Sequence, residues 1–288
     1  MKIAALTMVY RDCWALSRWY AHHGRLIGAQ NLFVVAHGAD PRIAEICPEA
    51  SIITVPRDRF DNFDRTRAEM LDGFHAGLSK LYDWVIRTDA DELICYDPDL
   101  WSGLPEVLTS VDGPVATALG FDLVMRDEDS EMTDGTVFSQ RRAIAFSGHY
   151  SKAVAARRPV SFQLHGVKVA PRKLADFPFH MPRGLYLAHL KYANRSVLSE
   201  GNTIRMQIAR GPGKGLPGAG WAEAEDDART FYEGFAAKPE RPWEEAQAEA
   251  HATLSVKPAR VERFSLVKTR ALKLPFRTTL PDRFAEQG

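Results

Sequence analysis

Two aspartates separated by one residue, Asp89 and Asp91, are the side chains of this sequence best suited to chemistry. Carboxylates at that spacing offer hard oxygen ligands of the kind Mg²⁺ and Mn²⁺ take. Spacing alone selects nothing, because Asp97/Asp99 and Asp127/Asp129 repeat the pattern. Only Asp89/Asp91 follows an apolar run, Trp84, Val85 and Ile86, that reads as a short buried strand. In an open α/β sheet ligands bind beyond the carboxyl ends of the strands, and this pair would stand at such an end. No Ser-His-Asp order and no setting for an activated cysteine is visible, so covalent catalysis has no support in the sequence.

The elements that must position the pair alternate regularly. Ile3–Val9 is an apolar run of strand length, and Leu16, Trp19, Tyr20, His23, Leu26 and Ile27 then recur at helical spacing. Residues 31–36 read as a second strand, closed by the turn-rich His37-Gly38-Ala39-Asp40-Pro41, and Ser51–Val55 reads as a third. Phe63, Met70, Leu71, Phe74, Leu78 and Leu81 describe a second amphipathic helix ahead of a fourth strand at 84–88. Non-alternating apolar strands separated by helices predict an α/β fold, a Rossmann-like parallel sheet with right-handed crossovers. The Gly-x-Gly-x-x-Gly turn of dinucleotide binding is missing, since Met8-Val-Tyr-Arg-Asp12 occupies its place. A helix at 104–111 and strands at 115–124, Ala143–Phe146, Lys152–Ala156 and 167–169 read as a mixed second half.

Composition bounds the function classes. With 37 Lys and Arg against 37 Asp and Glu among 288 residues, the chain lacks the basic excess of a nucleic-acid partner. Its 45% hydrophobic and 26% charged residues are ordinary for a soluble enzyme. Three widely spaced cysteines fit neither a disulfide framework nor a Cys-x-x-Cys metal site, which points to a reducing cytoplasm. The short apolar start reads as a core strand and not a signal peptide, and no run approaches the ~20 apolar residues of a membrane span.

Two late stretches stand out. Residues 210–220 hold five glycines and two prolines and read as a linker or a mobile flap near the site. Residues 256–277 carry Lys257, Arg260, Arg263, Lys268, Arg270, Lys273 and Arg277 against Glu262, with Val261, Phe264, Val267, Ala271 and Leu274 interleaved at near-helical spacing. They read as a basic amphipathic helix, either packed on the domain or lying peripherally on the inner face of a membrane. The expected organisation is therefore one domain over 1–200 and, over 201–288, a flap or linker with a helical basic extension.

Four blocks within about residues 3–200 resemble the glycosyltransferases of GT-A fold, in the family 2-like or family 92-like branch. They are Met8–Asp12 with Trp19-Tyr-Ala-His-His23, Leu32–Asp40, Trp84-Val-Ile-Arg-Thr-Asp-Ala-Asp-Glu92, and Leu187-Ala-His-Leu-Lys-Tyr-Ala-Asn-Arg-Ser196. The third is the most specific, matching the family's DxD-containing block. Arg11-Asp12 stands where the family usually has Asn-Glu.

The resemblance implies transfer of a sugar from a nucleotide-diphosphate donor, a UDP-sugar, to a hydroxyl on a glycan or lipid-linked acceptor in surface polysaccharide assembly. Mn²⁺ or Mg²⁺ would neutralise the departing diphosphate. Asp91 is expected to ligate the metal, with Asp89 beside the ribose or a metal-bound water. His189, inside a matched block, would supply an imidazole ligand, with His165 and His180 as second choices. Asp12 and Asp40, at the ends of the first two strands, would accept from base or ribose, and Asp40 could instead serve as a helix cap. Arg67, with Arg65, would reach the phosphates from the second helix. An inverting transfer needs a general base, assigned to Asp122. Two alternatives are a nucleotidyltransferase, which normally has a Gly-rich basic loop after its first strand, and a non-catalytic scaffold.

Overall fold

The computed structural model describes residues 1–58, 61–133 and 135–287. The first half alternates β1 (Ile3–Val9), α1 (Cys13–Ile27), β2 (Leu32–His37), α2 (Arg42–Ile46), β3 (Ser51–Val55), α3 (Phe63–Leu78) and β4 (Trp84–Arg87). The second half adds β5 (Glu92–Tyr96), α4 (Leu104–Thr109), β6 (Val115–Leu123), α5 (Val137–Gln140), β7 (Ala143–Phe146), β8 (Lys152–Ala156), β9 (Ser161–Gln163), β10 (Gly166–Lys168) and β11 (Leu185–His189). Then come α6 (Arg195–Ala209), α7 (Ala219–Ala222), α8 (Ala224–Ala236), α9 (Trp243–Leu254), β12 (Ala259–Val261), β13 (Leu266–Lys268) and β14 (Thr278–Thr279).

The strands β4, β1, β2 and β3 pair in parallel in that order, with Ile3 opposite Trp84 and Ala5 opposite Leu32. Every residue of β1 is buried, as a strand covered on both faces requires. Asp12 starts α1 by accepting the Ala15 N–H at 3.1 Å, and Trp19, Leu16, His22 and His23 form its buried face. The expected α/β architecture with a parallel first half is thereby borne out. Beyond β4 the same ten-stranded sheet becomes mixed: β8 runs antiparallel to β4 and β6, and β11 runs parallel to β6 and antiparallel to β5.

Residue 200 does not divide the core. Trp243, Ala246, Ala250 and Leu254 of α9, followed by Leu274, Phe276, Leu280 and Phe284, pack into the cluster that holds Phe121 and Tyr186. Strand β14 extends the main sheet by pairing with β7.

The expected basic helix over 256–277 does not form. Strands β12 and β13 join β10 and β9 in a separate four-stranded antiparallel sheet. Lys257 at φ +49° and Ser265 at φ +50° take left-handed backbone that interrupts a helix. Cross-strand burial of Leu266 and Val267 outweighs the near-helical spacing. Residues 210–218 are irregular, as their glycines and prolines require, but fastened to the start of α3. There the Asn62 N–H donates to the Lys214 carbonyl at 2.7 Å, and the Lys214 N–H to Asp61 Oδ1 at 2.8 Å.

Candidate active site

The carboxyl ends of β1, β2 and β4 open onto a cavity of about 640 Å³, and α6 and the β9–β10 turn supply further walls. The Asp89–Asp91 segment is the tight connection from β4 into β5. The Glu92 N–H donates to the Asp89 carbonyl at 3.1 Å, while the Glu92 carboxylate accepts the Asp89 N–H at 2.8 Å. The Leu190 N–H, just past β11, donates to the Asp91 carbonyl at 2.8 Å. Both carboxylates are therefore aimed by backbone bonds on either side of them.

Asp89 is held by cations. It forms an ion pair with Arg67 of α3, and Lys152 Nζ of β8 lies 3.5 Å from its other oxygen and 2.7 Å from Glu92 Oε1. Burial by itself would raise the Asp89 carboxyl, but Arg67 and Lys152 outweigh it and hold the group far below the usual carboxylate range. Glu92, 1% exposed, is pushed up by burial against the pull of Lys152. Burial would lower the Lys152 ammonium, yet Glu92 and Asp89 raise it and keep it charged.

Asp91 faces the histidine that the sequence reading paired with it. His189 Nε2 stands 3.4 Å from Asp91 Oδ2, and His189 Nδ1 is 2.7 Å from Asp122 Oδ1. Tyr150 stacks on the imidazole at 3.7 Å between ring centroids. Burial would lower His189, but its bonds to Asp122 and Asp91 raise it to about 9. Burial likewise raises Asp91, and the His189 bond overrides it to hold the carboxyl below its ordinary value.

The expectation that Asp122 is the general base does not fit this placement. Asp122 is 5% exposed, lies behind the imidazole and does not line the cavity. Its carboxylate is taken up by His189, whose ring it fixes.

Asp12 lines the cavity while capping α1, and its carboxyl is raised to about 6 by burial and by the neighbouring Asp91. Asp40 does not line it. The Asp40 carboxylate accepts from Arg42 Nε at 2.9 Å and from the Arg42 N–H at 3.1 Å, so its turn-capping role prevails. Arg42 reaches the cavity in its stead. Arg65 points away, paired with Glu69 at 2.8 Å. His165 lines the cavity, whereas His180 accepts the Asp112 N–H at 2.9 Å outside it.

Three features had little or no sequence signal. Lys152, after His149-Tyr-Ser, has only a weak likeness to a basic position that follows the acceptor strand in the resembled family, and Tyr150 shows only as part of that segment. Arg205 of α6 comes within 3.9 Å of Asp91 although 114 residues separate them in the numbering. At the β1–β2 end, the Arg57 guanidinium lies 3.3 Å from the Tyr10 ring centroid, His37 stacks on Phe63, and Trp221 of α7 meets Phe63 edge-on. That aromatic lining suits a flat conjugated group.

The residues present fit a divalent cation that is completed by its ligand. Among the described residues no group of three or more His, Cys, Asp and Glu is arranged to hold a metal ion, and Asp91 and His189, 3.4 Å apart, are the pair that would share one. Mg²⁺-type sites bound through one or two protein ligands are completed by waters and substrate phosphates. A histidine whose other nitrogen is bonded to a carboxylate, as His189 is to Asp122, has the support typical of a metal ligand.

No family model matches the chain, and no curated protein matches it. Among solved structures, it is similar to a CMP-2-keto-3-deoxy-manno-octonic acid synthetase complexed with CTP, at 15% identity over 82% of this chain and 87% of that one, TM-score 0.29. A mannose-1-phosphate geranyltransferase from Thermus thermophilus aligns at 11% identity over 99% of this chain and 77% of that one, TM-score 0.32. TarS of S. aureus aligns at 10% identity over 82% of this chain and 43% of that one, TM-score 0.31. At these values no activity and no residue role passes from those proteins to this chain.

Proposed function

We propose that the protein is a glycosyltransferase of GT-A type, of the family 2-like branch. It takes a nucleoside-diphosphate sugar, a UDP-sugar, and transfers the sugar to a hydroxyl acceptor with the help of Mn²⁺ or Mg²⁺. The observation that carries this reading is the Asp91–His189 pair, 3.4 Å apart at the strand ends. It stands in a cavity lined by cationic side chains including Arg11, Arg205 and Lys191.

When bound, the cation supplies the positive charge that a diphosphate leaving group needs. The protein's own groups do the rest. Asp91 and His189 hold the cation, and Asp122 and Tyr150 fix the imidazole from behind. Asp89, kept ionised by Arg67 and Lys152, accepts hydrogen bonds from a ribose hydroxyl. Arg205 faces the phosphate oxygens, which a guanidinium group recognises well. The aromatic end formed by Tyr10, His37, Phe63 and Trp221 takes the base.

Nucleotidyl transfer is less favoured, because the loop after β1 is Tyr10-Arg11-Asp12 and has no glycine. Thermal stabilisation by UDP, measured with and without Mn²⁺, tests the site. The metal-dependent part of the shift should vanish in Asp91→Ala, and its persistence would remove Asp91 from the site. Incubation with UDP-sugars against UTP plus sugar 1-phosphates separates the chemistries, since release of UDP supports glycosyl transfer and release of pyrophosphate overturns it.

A further inference from the structure

Charge is unevenly spread over this neutral chain. Residues 157–176 and 256–273 together hold eleven Lys and Arg against only Asp176 and Glu262, while the whole chain balances 37 against 37. The two stretches are neighbours in space, because β9 and β10 come from the first and β12 and β13 from the second. Elsewhere several exposed cations meet carboxylates, as Arg195 does with Asp127 and Arg229 with Asp226. Among the described residues, none of the eleven has a carboxylate within 4.0 Å. Lys168, Arg172, Lys173, Lys257, Arg263 and Lys273 are all exposed. Like charge on and beside one small sheet, with no carboxylate to offset it, repels itself and is relieved by an anionic partner.

The same module is also unusually apolar at its surface. Of the seven exposed large hydrophobic residues among those described, four belong to it: Leu164 at 56%, Val256 at 48%, Phe264 at 47% and Leu272 at 38% exposed. The Arg263 guanidinium sits 5.2 Å from the Phe264 ring centroid. Cations mixed with exposed aliphatic and aromatic side chains match the headgroup zone of an anionic bilayer, which offers both phosphate and apolar depth. A purely polar polyanion would leave the apolar side chains without a counterpart.

This module is also a wall of the cavity. The Leu164–His165 turn lines it, with the His165 ring 4.2 Å from that of His149. The Gly148 N–H donates to the Leu272 carbonyl at 3.0 Å, which ties the basic stretch to the segment carrying His149 and Tyr150.

We propose that the four-stranded sheet and its flanking turns dock on an anionic lipid bilayer. They hold the cavity mouth at the headgroups, where a lipid-borne hydroxyl acceptor can enter. The identity of the acceptor rests on the glycosyltransferase reading; the docking does not.

The test is co-sedimentation of the full chain with phosphatidylcholine vesicles, with and without about 30 mol % phosphatidylglycerol. It is run at about 50 mM and about 500 mM salt. The protein should pellet with the anionic vesicles at low salt. Partitioning should fall by about tenfold or more at high salt and in Lys257→Glu/Arg263→Glu, and several-fold in Phe264→Ser. Thermal stabilisation by UDP with Mn²⁺ should stay unchanged in these variants, because none of the three residues lines the cavity.

Equal pelleting on neutral vesicles, or none on anionic vesicles at low salt, would overturn the proposal. So would retention on immobilised heparin that Phe264→Ser leaves intact when vesicles are not bound, which would assign the patch to a soluble polyanion. Vesicle binding needs no nucleotide, so its failure leaves the donor-site reading standing. Loss of the UDP response with vesicle binding retained would sink only that reading.

Discussion

His189 and Asp122 are directly paired neighbours on parallel strands β11 and β6, and their side chains meet at 2.7 Å between Nδ1 and Oδ1. The strand register itself therefore sets which nitrogen of the imidazole faces Asp91. A carboxylate behind a metal-binding histidine typically changes metal affinity by about 10- to 100-fold. Asp122→Asn should weaken Mn²⁺ binding by that factor, followed as the Mn²⁺ dependence of UDP binding. It should also lower the His189 pKa, readable by ¹⁵N NMR of the ring. An unchanged imidazole titration would show that the bond does not form in solution.

Lys152 is the counter-ion of a buried carboxylate. Glu92 is 1% exposed and relies on the Lys152 ammonium 2.7 Å away. Removing one partner of a buried pair leaves the other charge uncompensated, at a cost of about 3–5 kcal/mol. Lys152→Met should lower stability in urea unfolding by that order, and adding Glu92→Gln should restore much of it. Additive losses in the double variant would deny the coupling.

Stability should fall on the acid side. His75 is fully buried, its Nδ1 has no hydrogen-bond partner, and burial lowers its pKa from 6.5 to about 4. The unfolded chain takes up a proton near pH 6.5 that the folded chain refuses until about pH 4. The stability linked to this difference is present above pH 6.5 and is lost as pH falls through about 4. At about 1.4 kcal/mol per pK unit, it is worth roughly 3 kcal/mol. His75→Gln should flatten the decline of unfolding free energy over that window. An unaltered slope would mean that His75 protonates freely in the folded state.

Gly120 is required by close packing beneath the site. A Cβ there would run into the Tyr150 carbonyl group and stand 2.6 Å from the Ser151 nitrogen. Backbone cannot yield as a side-chain tip can, so Gly120→Ala should cost about 1–3 kcal/mol. It should also disturb the Tyr150–His189 stack, weakening Mn²⁺-dependent UDP binding beyond what the stability loss accounts for. A variant of native stability would show that the β6–β8 region is softer than its packing implies.

The part of the site at the ends of β1 and β4 was largely legible in the sequence. The edge strand Ser51–Val55, none of it buried, shows through its β-branched residues. Ile3–Val9 falls where its apolar run predicts, because a buried parallel strand carries its signal in every residue. Asp89 and Asp91 follow directly from the end of such a strand. The part built by the second half of the chain was less legible. β5 begins at Glu92, and with only Thr88–Asp91 between the two strands no turn signature marks the reversal. The basic stretch misled for a related reason: residues spaced near 3.6 apart also satisfy a short strand when the flanking turns adopt left-handed backbone, as Lys257 and Ser265 do.

The sequence by itself determined the α/β class, the place of the Asp89–Asp91 pair at a strand end, and the lack of basic excess over the whole chain. These depend on local periodicity and on composition. Only the tertiary structure decided that Asp122 stands behind His189, that Lys152 shields Glu92, and that Asp40 turns to Arg42. It alone brought the cations of two distant stretches together on and around one sheet. Apart from the local Asp40–Arg42 turn, such facts arise between segments far apart in the chain, 67 residues for Asp122 and His189. The burial that decides a carboxylate's role exists only once those segments have met.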